Sequence, residues 1–225
     1  MKVGFIGLGT MGASIALNAI KGQNSLVVHD INRDAANPHL DIGAEWASSP
    51  KEVAAQSDVV FTSLPGPPEV ESVVHLVLET YGRLDSLCNI AGILHFHNTH
   101  DLTLELWNQI LAVNLTGTFL MCQTALPHLL ESGGNIVNMS STAALAGHPW
   151  TAAYSASKGG ILALTRTFAV EYGRKGVRAN SVCPGSVKTS MHKQFSLPEG
   201  ADETLLQRIM ALDRFRGPEA AAAEP

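Results

Sequence analysis

Three observations in the sequence predict a doubly wound α/β fold, a mostly parallel sheet of about seven strands between two helical layers. Apolar runs of strand length alternate with stretches of helical periodicity. Glycine- or proline-containing turns close the runs that end at Ile6, Leu64 and Ile90. The first run passes into the first helical stretch through the glycine-rich turn Gly7-Leu8-Gly9-Thr10-Met11-Gly12.

Lys2-Val3-Gly4-Phe5-Ile6 reads as the first buried strand. A helix follows from about Met11 to Lys21, with Ile15, Ala16, Ala19 and Ile20 at helical spacing. Ser25–His29 is a second strand with Asp30 at its C-terminal end, and Ala44-Glu45-Trp46 a short third. Pro50–Gln56 is a short helix with Ser49 as N-cap, and Val59–Leu64 a further strand closed by Pro65-Gly66-Pro67-Pro68. Glu69–Tyr81 is a helix ended by Gly82, and Ser86–Ile90 a strand. A long helix over Leu104–Leu130 comes next. Asn135–Met139, Ala152–Tyr172 and Val177–Val182 then give strand, helix and strand, and Leu205–Leu212 a last helix.

The 225 residues, 45% hydrophobic and 16% charged, suffice for one large domain over 1–225, with residues 218–225 as a flexible tail. A net charge of −5 without a basic run argues against a nucleic-acid surface. Cys88, Cys122 and Cys183 stand far apart, as in a reducing compartment. The N-terminal apolar run ends in glycines at strand length, too short for a signal peptide or membrane span. These features predict a cytoplasmic chain with neither membrane nor nucleic-acid partner.

The GxGxxG turn lies after a strand and opens a helix, where its physics works. Gly7 makes the tight turn, Gly9 lets backbone approach a pyrophosphate, and Gly12 lets helix and strand pack closely. Thr10 and Met11 complete this cradle. Asp30, 18 residues after Gly12, stands where a carboxylate would hold an adenosine ribose. An acid there repels a 2′-phosphate, which favours NAD over NADP; Arg33, close by, reads as a solvated loop charge.

GFIGLGTMG, Val27-Val28-His29-Asp30 and Thr62-Ser63-Leu64-Pro65 with Val70-Glu71 resemble the start of the β-hydroxyacid dehydrogenase family, over about residues 1–73. This resemblance implies a dinucleotide-binding half in which the turn at Leu64 flanks the cofactor. That family's helical second domain and catalytic lysine motif have no counterpart here.

In the rest of the chain, Tyr154 and Lys158 are i and i+4 on one helix face, and Ser141 ends a strand 13 residues before Tyr154. A free tyrosine, pKa ~10, needs ~4 kcal/mol of preference for its phenolate to act as a base near pH ~7. An ammonium ~4 Å away at an effective dielectric of ~20 supplies about that much. Ser141 would hold the substrate oxygen while a proton moves to or from Tyr154.

Together with Gly82-Arg83-Leu84-Asp85, Asn89-Ile90-Ala91-Gly92, Val113-Asn114-Leu115, Ile136–Ser141 and Pro184–Thr189, these residues resemble the short-chain dehydrogenases/reductases. The resemblance implies a catalytic half over 74–217 that moves a hydride between NAD(P) and an alcohol or ketone. Lys158 would also bind the cofactor ribose, and Asn114 would hold a relay water. Asn89, Ala91 and Gly92 would line the cofactor, and Pro184, Gly185 and Thr189 would meet its nicotinamide end. Met191–Met210 would form a substrate lid, and the two long helices a homodimer or homotetramer contact. His95, His97, His100 and Asp101 read as a variable polar loop, not a metal site.

Two resemblances in one chain predict a composite, joined near Val70–Val77. Each family places a different strand beside strand one. The favoured strand order is 44–46, 25–29, 2–6, 59–64, 86–90, 135–139, 177–182. It would shift the catalytic residues by one strand spacing, ~4.8 Å, where hydride transfer needs ~3–3.5 Å. The other order moves 59–64 to the far edge, unravels 44–46 and preserves catalysis. A recombined scaffold that binds dinucleotide with little turnover is therefore the competing expectation.

Overall fold

The computed structural model describes residues 1–8, 10–62, 67–186 and 196–206. Backbone contacts divide the chain into two compact units, Met1–Leu84 and Asp85–Pro225.

The first unit holds four parallel strands: β1 (Lys2–Ile6), β2 (Ser25–His29), β3 (Glu45–Trp46) and β4 (Val59–Thr62). Their order is β3-β2-β1-β4. β1 pairs with β2 from Lys2↔Ser25 to Ile6↔His29, and with β4 from Val3↔Val59 to Ile6↔Thr62. β3 pairs with β2 through Val28↔Trp46. Residues 59–62 thus lie beside strand one, and residues 45–46 stay paired. This excludes the far-edge arrangement.

The strand period of two sorts the core onto both sheet faces. Val3, Phe5, Leu26 and Val28 pack with Ala16 of helix α1 (Thr10–Lys21) and with Ala36; Phe5 stacks on Phe61 at 6.0 Å. Ile6 and Val27 pack on the other face with Ala47 and with Val53 of helix α3 (Pro50–Ala55). Between them, residues 33–40 form a 3₁₀ turn and a one-turn helix α2 (Asn37–Leu40), which periodicity did not reveal. Ser49 caps α3 as expected, accepting from Glu52 N at 3.2 Å, while Glu52 reaches back to Ser48 N at 2.7 Å. Gly4 has a reason that the glycine-turn motif does not supply. A Cβ there would lie 2.5 Å from both Ser57 Oγ and Val53 Cγ1, so α3 approaches β1 only over a bare Cα. Helix α4 (Pro67–Tyr81) closes the unit, with Tyr81 donating to Ser57 O at 2.7 Å.

The second unit holds parallel β5 (Ser86–Asn89), β6 (Asn135–Met139) and β7 (Arg178–Val182), in that order. β6 pairs with β5 from Ser86↔Asn135 to Asn89↔Asn138 and with β7 from Asn135↔Arg178 to Met139↔Val182. The long helix expected after β5 is interrupted. α5 (Leu104–Leu111) passes through a π-helical turn, Ala112–Thr116, into α6 (Gly117–Ser132). By length and composition Leu104–Ser132 could cross a membrane. Its Asn114 and Thr118 are buried and hydrogen-bonded within the unit, and α6 packs on β5 and β6. α7 (Ala152–Tyr172) matches its expected bounds.

Candidate active site

In the first unit the turn after β1 has the conformation that its glycine requires. Gly7 sits at φ +92°, a region costly for any residue with a Cβ, and its N–H bonds to His29 O at 2.9 Å. Gly12 is buried. Asp30 is tied to this turn, Oδ2 accepting from Leu8 N at 2.6 Å and Oδ1 from Asn32 N at 2.7 Å. The carboxylate therefore staples the glycine turn to the end of β2, and each oxygen keeps a second lone pair for a ligand hydroxyl. Arg33 is exposed, as expected of a solvated loop charge, with its guanidinium 5.7 Å from the centre of the Trp46 ring. Gly9, Leu64 and Thr189 lie outside the described residues, as do the side chains of Thr10 and Met11 and, of the expected lid, residues 191–195 and 207–210, with Met191 and Phe195.

In the second unit the sheet ends converge on one helix. β6 delivers Ser141 in an extended conformation, where its hydroxyl accepts from Ala143 N at 3.1 Å and caps the short turn Thr142–Ala144. The Tyr154 phenol on α7 lies near enough to the same hydroxyl for Ser141 to hold its pKa down against the effect of burial. One turn later, Lys158 is 3% exposed, with Nζ 5.7 Å from the Tyr154 ring centre and donating to Met139 O at 2.8 Å. Ser140 locks α7 to the strand end, its Oγ donating to Lys158 O at 2.8 Å. Pro184 O accepts from Thr142 N at 3.0 Å, which brings the segment with Pro184 and Gly185 to the Ser141 loop.

Asn114 sits in the π turn, wholly buried. Its Oδ1 accepts from Ile93 N at 2.8 Å, and its Nδ2 donates to Ile93 O at 2.9 Å and Ser157 Oγ at 3.0 Å. This side chain clamps the Ala91–Ile93 loop against α7. Gly92 fits beneath it because a Cβ would lie 3.2 Å from Lys158 Nζ and 3.3 Å from Asn114 Oδ1. Asn89 points its amide inward, donating to Asn138 Oδ1 at 2.8 Å and to Cys122 Sγ at 3.3 Å. Asn138 passes the chain on to Thr165 Oγ1 at 2.9 Å. This interior network carries no alternation or motif that sequence reading could use. Burial within it pushes the Cys122 thiol up to about 11.

The electrostatics correct one expectation. Burial raises the Tyr154 phenol above its ordinary value, opposed by the Ser141 hydrogen bond. Lys158 itself is lowered to about 8, because burial disfavours its charge. The ammonium also shares its protons with Met139 O, so the single-cation arithmetic does not bring the phenol to neutrality in the protein alone.

Among the described residues no three His, Cys, Asp or Glu side chains converge on a metal-sized site. In the His95–Asp101 loop, His97 N bonds to Trp150 O at 2.8 Å, and the exposed His100 ring lies 3.4 Å from Asp101.

The short chain dehydrogenase family profile matches residues 6–200, and so spans the expected join near Val70–Val77. The chain belongs to the short-chain dehydrogenase family. This short-chain dehydrogenase is 41% identical over 155 residues to 2-(S)-hydroxypropyl-CoM dehydrogenase 3 of Xanthobacter autotrophicus, covering 67% of the chain and 61% of the relative. It is 38% identical to D-threitol dehydrogenase of Mycolicibacterium smegmatis, over 68% of the chain and 59% of the relative. A second Xanthobacter relative, 46% identical over 61% of the chain and 62% of its own length, is named an inactive 2-(S)-hydroxypropyl-CoM dehydrogenase 2. The chain spans about three-fifths of the length of these curated relatives.

Proposed function

We propose that this short-chain dehydrogenase transfers a hydride between NAD, in preference to NADP, and a small secondary alcohol or ketone. The observation that carries the proposal is the convergence of the Ser141 hydroxyl, the Tyr154 phenol and the buried Lys158 ammonium at the ends of β6 and α7. A buried cation partnered by a backbone carbonyl is costly to keep, and its place one turn from the half-buried Tyr154 phenol gives it work.

The residues present suit a dinucleotide. Gly7 at positive φ and the stapled Asp30 suit the pyrophosphate and ribose; bare Gly92 beneath Lys158 suits close approach of a ligand. When bound, the nicotinamide supplies or accepts the hydride. Ser141 positions the substrate oxygen, and Tyr154 gives it a proton in ketone reduction or removes one in alcohol oxidation. The raised phenol is protonated at neutral pH, which suits reduction. Oxidation needs the phenolate, which Lys158 favours as the nearest cation. Asn114 holds the loop through Ala91 and Gly92 in register with Lys158 and, by family resemblance, supports a relay water. A cytoplasmic homodimer or homotetramer is part of this reading, as are Asn89, Pro184, Gly185 and Thr189 along the cofactor.

The outcome that would overturn this reading is a scaffold that binds dinucleotide without turnover. Calorimetry with NAD and NADH, beside turnover of secondary alcohols and ketones, separates the two. Binding with turnover that Tyr154→Phe abolishes supports the enzyme; binding without turnover supports the scaffold.

A further inference from the structure

We infer that Trp150 is a specificity-determining wall of the substrate site, selecting alcohols and ketones that carry an extended apolar substituent. The inference rests on the proposed oxidoreductase reading and adds the substrate class to it.

Trp150 adopts φ +61°, a left-handed conformation that a bulky side chain rarely takes. Its partly exposed indole is not part of the buried core. The conformation is held from both sides. On one side, Trp150 O accepts from His97 N at 2.8 Å, latching the loop after β5 to the segment before α7. On the other, Thr151 Oγ1 donates to His148 O at 2.9 Å and meets Ser155 Oγ at 2.9 Å, while Ser155 N bonds to Thr151 O at 2.7 Å. Strained residues that persist are over-determined by their surroundings and concentrate at ligand sites.

The position explains what the strain is for. Trp150 stands four residues before Tyr154 on the segment leading from Ser141 to Tyr154, the two groups that would hold the substrate oxygen. A substrate oxygen between them leaves its carbon substituents facing the segment in which Trp150 is fixed. An indole offers those substituents a large, rigid apolar face and no charge, so chain length and bulk are what it can read.

The test uses Trp150→Ala and Trp150→Gly, assayed on a series from 2-propanol to 2-octanol with the matching ketones. Both variants should lose the advantage of the longer substrates, with KM for 2-octanol rising about ten-fold while 2-propanol changes less than about two-fold. Glycine relieves the backbone strain that alanine keeps, so Trp150→Gly should melt about 2–4 °C above Trp150→Ala. A merely structural role would move all substrates together and follow the melting temperatures. Calorimetric titration with 2-octanone gives a readout without turnover: Trp150→Phe should keep its affinity within about two-fold, whereas Trp150→Ala should weaken it about ten-fold. Unchanged chain-length preference and unchanged 2-octanone affinity in Trp150→Ala would overturn the inference. Absence of turnover in every protein, with 2-octanone binding intact in wild type and weakened in Trp150→Ala, would overturn the oxidoreductase reading and leave the apolar wall standing.

Discussion

Lys158 is the residue whose removal has the clearest calculable consequence. Its side chain is 3% exposed, and burial lowers it from 10.5 to about 8. At pH values below 8 the folded protein holds a buried ammonium that the unfolded chain would hold in water. Between the two values the unfolded state binds more protons than the folded state, so stability rises with pH across that window. A depression of this size corresponds to roughly 3 kcal/mol of cost near neutrality, of which about 2 kcal/mol is recovered between pH ~7 and ~9.5. Other groups titrate in the same range, among them the cysteines, so the quantity to measure is a difference. Urea unfolding of wild type and Lys158→Met at both pH values isolates the lysine. Wild type should gain about 2 kcal/mol relative to Lys158→Met on going to the higher pH. Parallel pH dependence in the two proteins would refute the claim that a charged lysine is buried here, and with it the electrostatic account of Tyr154.

Three further outcomes follow from contacts elsewhere. Gly4→Ala places a Cβ 2.5 Å from Val53 and Ser57, so overpacking between β1 and α3 should cost about 1–3 kcal/mol, read by urea unfolding. Asn114→Leu removes three hydrogen bonds and leaves the half-buried Ile93 N–H and C=O without this partner; a loss of about 1–3 kcal/mol is expected, with turnover falling further than the melting temperature explains. Asp30→Ala unties the glycine turn from β2, and calorimetry should show NAD binding weakened about ten-fold or more while NADP is affected less.

Much of this was legible before any coordinates. β1, β2 and β6 and helix α7 have the bounds that their apolar patterns imply, because buried parallel strands and long packed helices leave continuous signals. The turns and helices over 33–40 were missed because eight residues hold too few periods to register. The π turn at Ala112–Thr116 was missed for a different reason. Its side-chain pattern differs little from that of an α-helix, and Asn114 is anchored to Ile93, which is 21 residues away. The candidate site residues Ser141, Tyr154 and Lys158 stand out in the sequence because their spacing is local and their chemistry distinctive. The direction of the Tyr154 shift could not, since burial depends on the packing of whole elements and the ammonium distance on a carbonyl of another strand. Asn89 shows the same limit: family resemblance implied a cofactor contact, while nothing in the sequence signalled the bond from its amide to Asn138, its partner across β5 and β6.

The central claim is that Tyr154 exchanges a proton with a substrate oxygen held by Ser141 while Lys158 supplies charge. Single-turnover oxidation of NADH with a ketone, compared between wild type and Tyr154→Phe after calorimetric matching of NADH occupancy, tests it most directly. The account predicts equal NADH binding and loss of at least about a hundred-fold in rate for the phenylalanine protein. Equal rates in the two proteins, or no oxidation by wild type despite saturated NADH, would contradict it.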